Sequence, residues 1–218
     1  MRLRLVKQRR RAMTLFEVMV VVVALLLLAA VLLPSLGTMR HHNGTTNCIN
    51  NLKQVALCFR IWEGDNNDLN LMAVSVTNGG ARELMATGNV TACFLVMSNE
   101  LSTTKILICP ADLDHIRAVA FGSLNNSNIS YFVGLDATND ATPTLLQTGD
   151  SDLTLGGKQA ASGVFAFTSN APVSWTTARH GYGGNLAFAD GSVRTAPVTT
   201  MPSIIRDTRL ATNYLAIP

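Results

Sequence analysis

The sequence predicts an α+β protein. A long N-terminal helix, membrane-spanning in its first half and amphipathic in its second, is expected to pack on a small antiparallel β-sheet head. Residues 13–33 read MTLFEVMVVVVALLLLAAVLL, an apolar run broken only by Thr14 and Glu17. Residues 47–63 set Ile49, Leu52, Val55, Ala56, Phe59 and Trp62 at steps of three and four, the spacing of one buried helix face. Short β-rich runs separated by turn-formers follow, and helix first with strands after is an α+β order.

The first element is a basic leader, 1–12, with six of the chain's 17 Lys and Arg: Arg2, Arg4, Lys7, Arg9, Arg10 and Arg11. Without it the formal net charge of +3 becomes −3, because eleven cations then face 14 acids. The body has no Lys/Arg cluster of the kind that binds nucleic acid. Charged residues are 14% of the 218, against about 25% in an ordinary soluble domain, which excludes a disordered chain or a coiled coil.

The second element is the apolar run. At about 1.5 Å per residue, roughly 20 apolar residues cross a bilayer core of about 30 Å, so 13–33 reads as a single transmembrane helix. The basic flank predicts a cytoplasmic N-terminus and an exported body. A secretory signal peptide is the competing reading, but its apolar region is shorter, about 7–15 residues. An acid near the start of the run also argues against it. A carboxylate at the centre of a membrane helix costs about 2.5–3.5 kcal/mol, so Glu17 calls for a partner.

Residues 34–63 carry the rest of the long helix, with a bend at Asn43-Gly44. His41 and His42 are adjacent and point in different directions on a helix, which reads as a solvated pair rather than a metal site. The head, 64–218, is expected to hold strands at 105–109 (KILIC), 129–135 (ISYFVGL), 163–167 (GVFAF) and 185–189 (NLAFA). Residues 193–198 should pair back after an Asp190-Gly191 turn.

The sequence offers little catalytic chemistry. It has no Gly-x-Ser-x-Gly elbow, no GxGxxG and no P-loop. Gly181, Gly183 and Gly184 are therefore read as a turn, with His180 and Asp190 fixing loop hydrogen bonds, no catalytic residue is assigned, and the chain is not expected to be an enzyme. Four cysteines stand at 48, 58, 93 and 109. Cys48 and Cys58 would lie about 15 Å apart on one helix, too far to bridge. Cys48–Cys109 with Cys58–Cys93, the swapped pairs, and four free thiols all stay open. No CxxC supports a zinc ribbon or a thioredoxin site.

The segment RAMTLFEVMVVVVALLLLAAVLLP resembles the processing segment of type IV prepilins and type II secretion pseudopilins. The resemblance places cleavage between Ala12 and Met13, with N-methylation of Met13 by prepilin peptidase. Thr14, Leu15, Phe16 and Glu17 match position by position, and Pro34 matches the family's helix-kinking proline. Ala12 departs from the Gly usual there. In that family the glutamate pairs with the amine of a neighbouring subunit, the role implied for Glu17. CINNLKQVALCFRIWEGDNND (48–68), ILICPAD (106–112), SYFVG (130–134) and RHGYGGNLAFADGSV (179–193) further resemble pilin-like proteins of planctomycete and verrucomicrobial type. Their H-X9-DG signature falls at 180–191, on His180, Asp190 and Gly191. Residues 82–91 and 137–159 carry little of the likeness.

The resemblance implies a pilin-like structural subunit, processed and then assembled into a type IV pilus or type II secretion pseudopilus. It implies a single-pass inner-membrane precursor with a cytoplasmic N-terminus and a periplasmic head. Expected partners are prepilin peptidase, copies of the chain or other pilin-like subunits, and inner-membrane assembly machinery; no nucleic acid is expected. The alternative is a single-pass membrane-tethered periplasmic binding module that does not polymerise. No cofactor is assigned. Certain pseudopilins of this kind hold Ca²⁺ in their C-terminal loops, which leaves Ca²⁺ open, with Asp150, Asp152 and Asp190 as its candidates and Asp65, Asn67 and Asp68 behind them.

Overall fold

The computed structural model describes residues 14–138 and 142–218, without the side chains of 31–44. Ala12, Met13, the leader, the Pro34 kink and His41-His42 lie outside the described residues or side chains. The chain divides into two units, Met1–His42 and Asn43–Pro218.

In the first unit, helix α1 (Leu15–Asp65) begins. Its start is a reciprocal capping box: the Glu17 amide donates to Thr14 Oγ1 and the Thr14 amide to Glu17 Oε2, both at 3.3 Å. Two of the amides that lack a partner at any helix start are thereby satisfied. Thr-x-x-Glu thus has a local use that the sequence reading did not give it.

The expected membrane-spanning first half is corrected. Among the described residues no helix is long and apolar enough to cross a membrane. The described side chains of this stretch, 14–30, include the charged Glu17, where a bilayer core requires roughly 20 predominantly apolar residues. The expected inner-membrane, single-pass location with a periplasmic head is corrected with it.

The second unit is α+β, built on a six-stranded antiparallel sheet rather than the small one expected. Its strands are β1 (Tyr131–Gly134), β2 (Leu146–Asp150), β5 (Gly163–Thr168), β7 (Gly183–Phe188), β8 (Val193–Pro197) and β9 (Thr212–Ile217), in the order β5-β9-β1-β2-β7-β8. A second sheet, β4-β3-β6, joins β3 (Leu153–Leu155), β4 (Lys158–Gln159) and β6 (Val173–Trp175). Residues 105–109 are not a strand. A 3-10 turn occupies Thr104–Leu107, started by Thr103, whose hydroxyl accepts from the Lys105 amide.

Alternation along the strands divides the core in two. Tyr131, Val133, Ala187 and Ala216 face a cluster made by Cys48, Leu52, Val55, Phe59 and Trp62 of α1 together with α2 (Arg82–Met85) and α3 (Val90–Val96). Phe132, Leu186, Phe188, Leu215 and Ile217 face the other way, onto Trp175 of β6 and Met201 and Ile205 of the helix Met201–Asp207. A sheet covered on both faces buries every residue of β1, β2 and β7. The buried Glu63 ties α1 to this sheet, accepting from Asn70 Nδ2 at 2.5 Å and Gln147 Nε2 at 3.3 Å.

Candidate functional site

Polar side chains collect where the α1 face of the sheet meets the first described turns of α1 in the second unit. Register sets Tyr131 of β1 opposite Asp150 of β2, and β7 brings Asn185 alongside. The Asn185 amide and Nδ2 both donate to Asp150 Oδ2, at 2.7 and 3.0 Å. Asn185 is itself held by Thr195 Oγ1 of β8 at 3.1 Å. Asp150 is fully buried.

Three further groups converge on this carboxylate. Cys48 of α1 donates from Sγ to Asp150 Oδ1 at 3.2 Å and lies 3.6 Å from the Tyr131 hydroxyl. His180, in the loop before β7, sets Nε2 3.4 Å from Asp150 Oδ2 and 3.2 Å from Cys109 Sγ. Its Nδ1 faces Thr45 Oγ1 at 3.4 Å. Cys109 follows the 3-10 turn. The ligand atoms of Cys48, Cys109, Asp150 and His180 all lie within 4.8 Å of one another.

Electrostatics inside the cluster follow from burial and contact. Burial pushes the Asp150 carboxyl up, against the pull of His180 and Asn185. Burial pulls His180 down, but the Cys109 contact and the Asp150 charge raise it further. Cys109 is brought to about 7, first by the Cys48 thiol beside it and, against burial, by His180. Cys48 is pushed well up, by Cys109 first and then by burial and Asp150.

A second buried network begins one residue away. Arg179 pairs with Asp112 Oδ2 at 2.7 Å and donates to the Ser130 carbonyl at 2.8 Å and to Ser151 Oγ at 3.2 Å. Asp112 also accepts from His115 Nδ1 at 2.9 Å. Asp152 Oδ2 accepts from Thr176 at 3.1 Å, and burial followed by the Asp150 charge raises Asp152 to about 6.

The structure sorts the sequence candidates. Asp190 fixes a loop hydrogen bond, its Oδ1 accepting from the Ser192 amide at 2.8 Å in the turn before β8, whereas His180 reaches out of its loop to Cys109 and Asp150. Gly191 sits there at φ 80°, a left-handed position that favours glycine. Of the three aspartates named for Ca²⁺, only Asp150 belongs to a described group of side chains placed to hold an ion, while Asp152 accepts from Thr176 and Asp190 from the Ser192 amide. All four cysteines are buried free thiols. Cys48 and Cys109 stand together, while Cys58 donates to the Glu100 carbonyl at 3.3 Å. Sequence reasoning missed the joint site of Cys48, Cys109, Asp150 and His180, whose members are far apart in the chain. Both of its cysteines and its histidine do fall inside three of the four segments quoted above for the resemblance, 48–68, 106–112 and 179–193.

Comparison with family models, with curated proteins and with solved structures returns no match.

Proposed function

We propose that the chain is a pilin-like structural subunit, processed by prepilin peptidase between Ala12 and Met13. It then assembles with copies of itself or other pilin-like subunits into a type IV pilus or type II secretion pseudopilus. The observation that supports this reading is the first part of α1. From Leu15, 90% exposed, to Leu28, its large apolar side chains are all exposed. A helix apolar on every side is stable only when it is surrounded, and the same helices from neighbouring subunits supply that surrounding. Inside such a bundle a carboxylate without a counter-charge is expensive. The new amine at Met13 of an adjacent subunit supplies one for Glu17 and fixes the stagger between subunits. The function is assembly, not catalysis.

The test is cross-linking in cells that express the chain with Leu25→Cys, a position on the exposed part of α1. The expected result is a ladder of multimers, lost or altered in spacing when Glu17→Val is added. Monomer alone from Leu25→Cys, in cells that hold the peptidase, would sink the reading.

A further inference from the structure

We propose that Cys48, Cys109, Asp150 and His180 bind a single Zn²⁺ ion in a closed, structural site. The inference stands on the second unit alone and does not depend on filament assembly. Zinc takes thiolate sulfur at about 2.3 Å and imidazole nitrogen or carboxylate oxygen at about 2.0–2.2 Å, in a tetrahedron. Ligand atoms of such a tetrahedron are about 3.3–3.8 Å apart. Here Cys48 sulfur to Asp150 Oδ1 is 3.2 Å, Cys109 sulfur to His180 Nε2 is 3.2 Å, and His180 Nε2 to Asp150 Oδ2, the other carboxylate oxygen, is 3.4 Å. The four donors are within a few tenths of an ångström of these edges wherever a distance joins them, and no pair exceeds 4.8 Å.

The donor set selects the ion. Two sulfurs, one imidazole and one carboxylate suit zinc and its transition-metal neighbours. Ca²⁺ needs six to eight oxygens, and this site offers one carboxylate. Four protein ligands fill a tetrahedron and leave no open position, which marks a structural rather than a catalytic site.

The surroundings are those of a metal site. The far ring nitrogen of His180 faces Thr45, and Asp150 Oδ2 is fixed by two donors on Asn185. Such outer contacts orient ligating imidazoles and carboxylates. A Cys48–Cys109 disulfide explains the cluster less well. It would remove the thiol proton that Asp150 Oδ1 accepts, leaving that oxygen of a fully buried carboxylate without this donor. An ion would join α1, the segment after the 3-10 turn, the end of β2 and the loop before β7.

The experiment uses the full chain, produced with Zn²⁺ in the medium and purified without chelators. Elemental analysis and native mass spectrometry should find one zinc per chain. His180→Gln and Cys109→Ser should each weaken zinc binding at least tenfold, whereas Cys58→Ser should retain it. Because a ligand variant can fail to fold, the unmodified chain is also stripped and reloaded with Co²⁺. Thiolate-to-cobalt charge transfer with strong visible bands is the result expected of a tetrahedral sulfur site. Stripping should lower the unfolding temperature by roughly 10 °C, restored by Zn²⁺ and not by Ca²⁺. A chain that purifies without zinc and gives no such cobalt spectrum overturns the proposal. So does a chain two hydrogens lighter, with Cys48 disulfide-linked to Cys109.

Discussion

Asp112 and Arg179 form the most consequential single pair outside the cysteine cluster, because both are buried and they meet at 2.7 Å. Removing one partner of such a pair leaves the other charge uncompensated, at a cost of about 3–5 kcal/mol. Asp112→Asn is expected to lose stability of that order at pH 7, read from urea unfolding; a change under about 1 kcal/mol contradicts the pairing. The pH dependence has a definite sign. Burial pushes the Asp112 carboxyl up, but His115 and the Arg179 charge overcome it and hold the group well below the usual carboxylate range. The unfolded chain therefore takes up this proton first, at about pH 3.9. The stabilisation is complete above that pH and is lost as pH falls toward the folded value. The Asn variant should lack this part of the acid limb.

Thiols make a second prediction at this scale. Cys58 is pushed up to about 11 by burial and then by Glu100, and burial raises Cys93 well above its ordinary value. Since the thiolate is the reactive form, iodoacetamide at pH 7.5 should label both at least roughly a hundredfold more slowly in the folded chain than in urea. Equal rates in the two states would show that these side chains are not packed as described.

At the scale of elements, β7 shows why the sheet was only partly legible. The run NLAFA reads as a strand, and Gly183-Gly184 before it reads as a turn, because glycine pairs punctuate chains. In the fold both glycines belong to β7, and the ring of Trp175 lies against Gly184: a Cβ there would come 2.6 Å from Cε3 and Cζ3. Absence of a side chain is what lets the second sheet pack here. Gly184→Ala should destabilise by about 1–3 kcal/mol through overpacking, and an unchanged urea midpoint would contradict this packing. β2 was illegible for a different reason. Its sequence LQTGD has no apolar alternation, yet it is wholly buried. Tertiary partners hold its polar side chains: Thr148 donates to the Phe132 carbonyl at 2.7 Å, and Gln147 Nε2 donates to Glu63, although Gln147 Oε1 is buried without a hydrogen bond. KILIC misled in the other direction, since a short apolar run does not by itself separate a strand from a buried 3-10 turn. The amphipathic pattern of 47–63 was legible because one helix face, read locally, is what packs on the sheet.

Across the whole molecule, the two units pose different physical problems. Among the described residues, the second buries most of its apolar surface in two large clusters, one on each face of its sheet, with a small third cluster around Ala137, Leu145 and Ala189. The first leaves the apolar side chains of 15–28 exposed and begins with the Thr14–Glu17 capping box. On the pilin-like reading proposed above, that box separates two roles for Glu17. Glutamine can cap in place of glutamate but carries no charge, so Glu17→Gln should keep helix α1 intact yet impair assembly, as is expected of Glu17→Val. Normal multimers from Glu17→Gln would mean that capping, not charge pairing, is what assembly requires of this position.

The measurement that bears most directly on the pilin-like reading is the mass of the N-terminal peptide of the chain isolated from the cells that make it. Processing by prepilin peptidase predicts a chain that begins at Met13 with a methylated amine. A mature chain still beginning at Met1 would contradict the account.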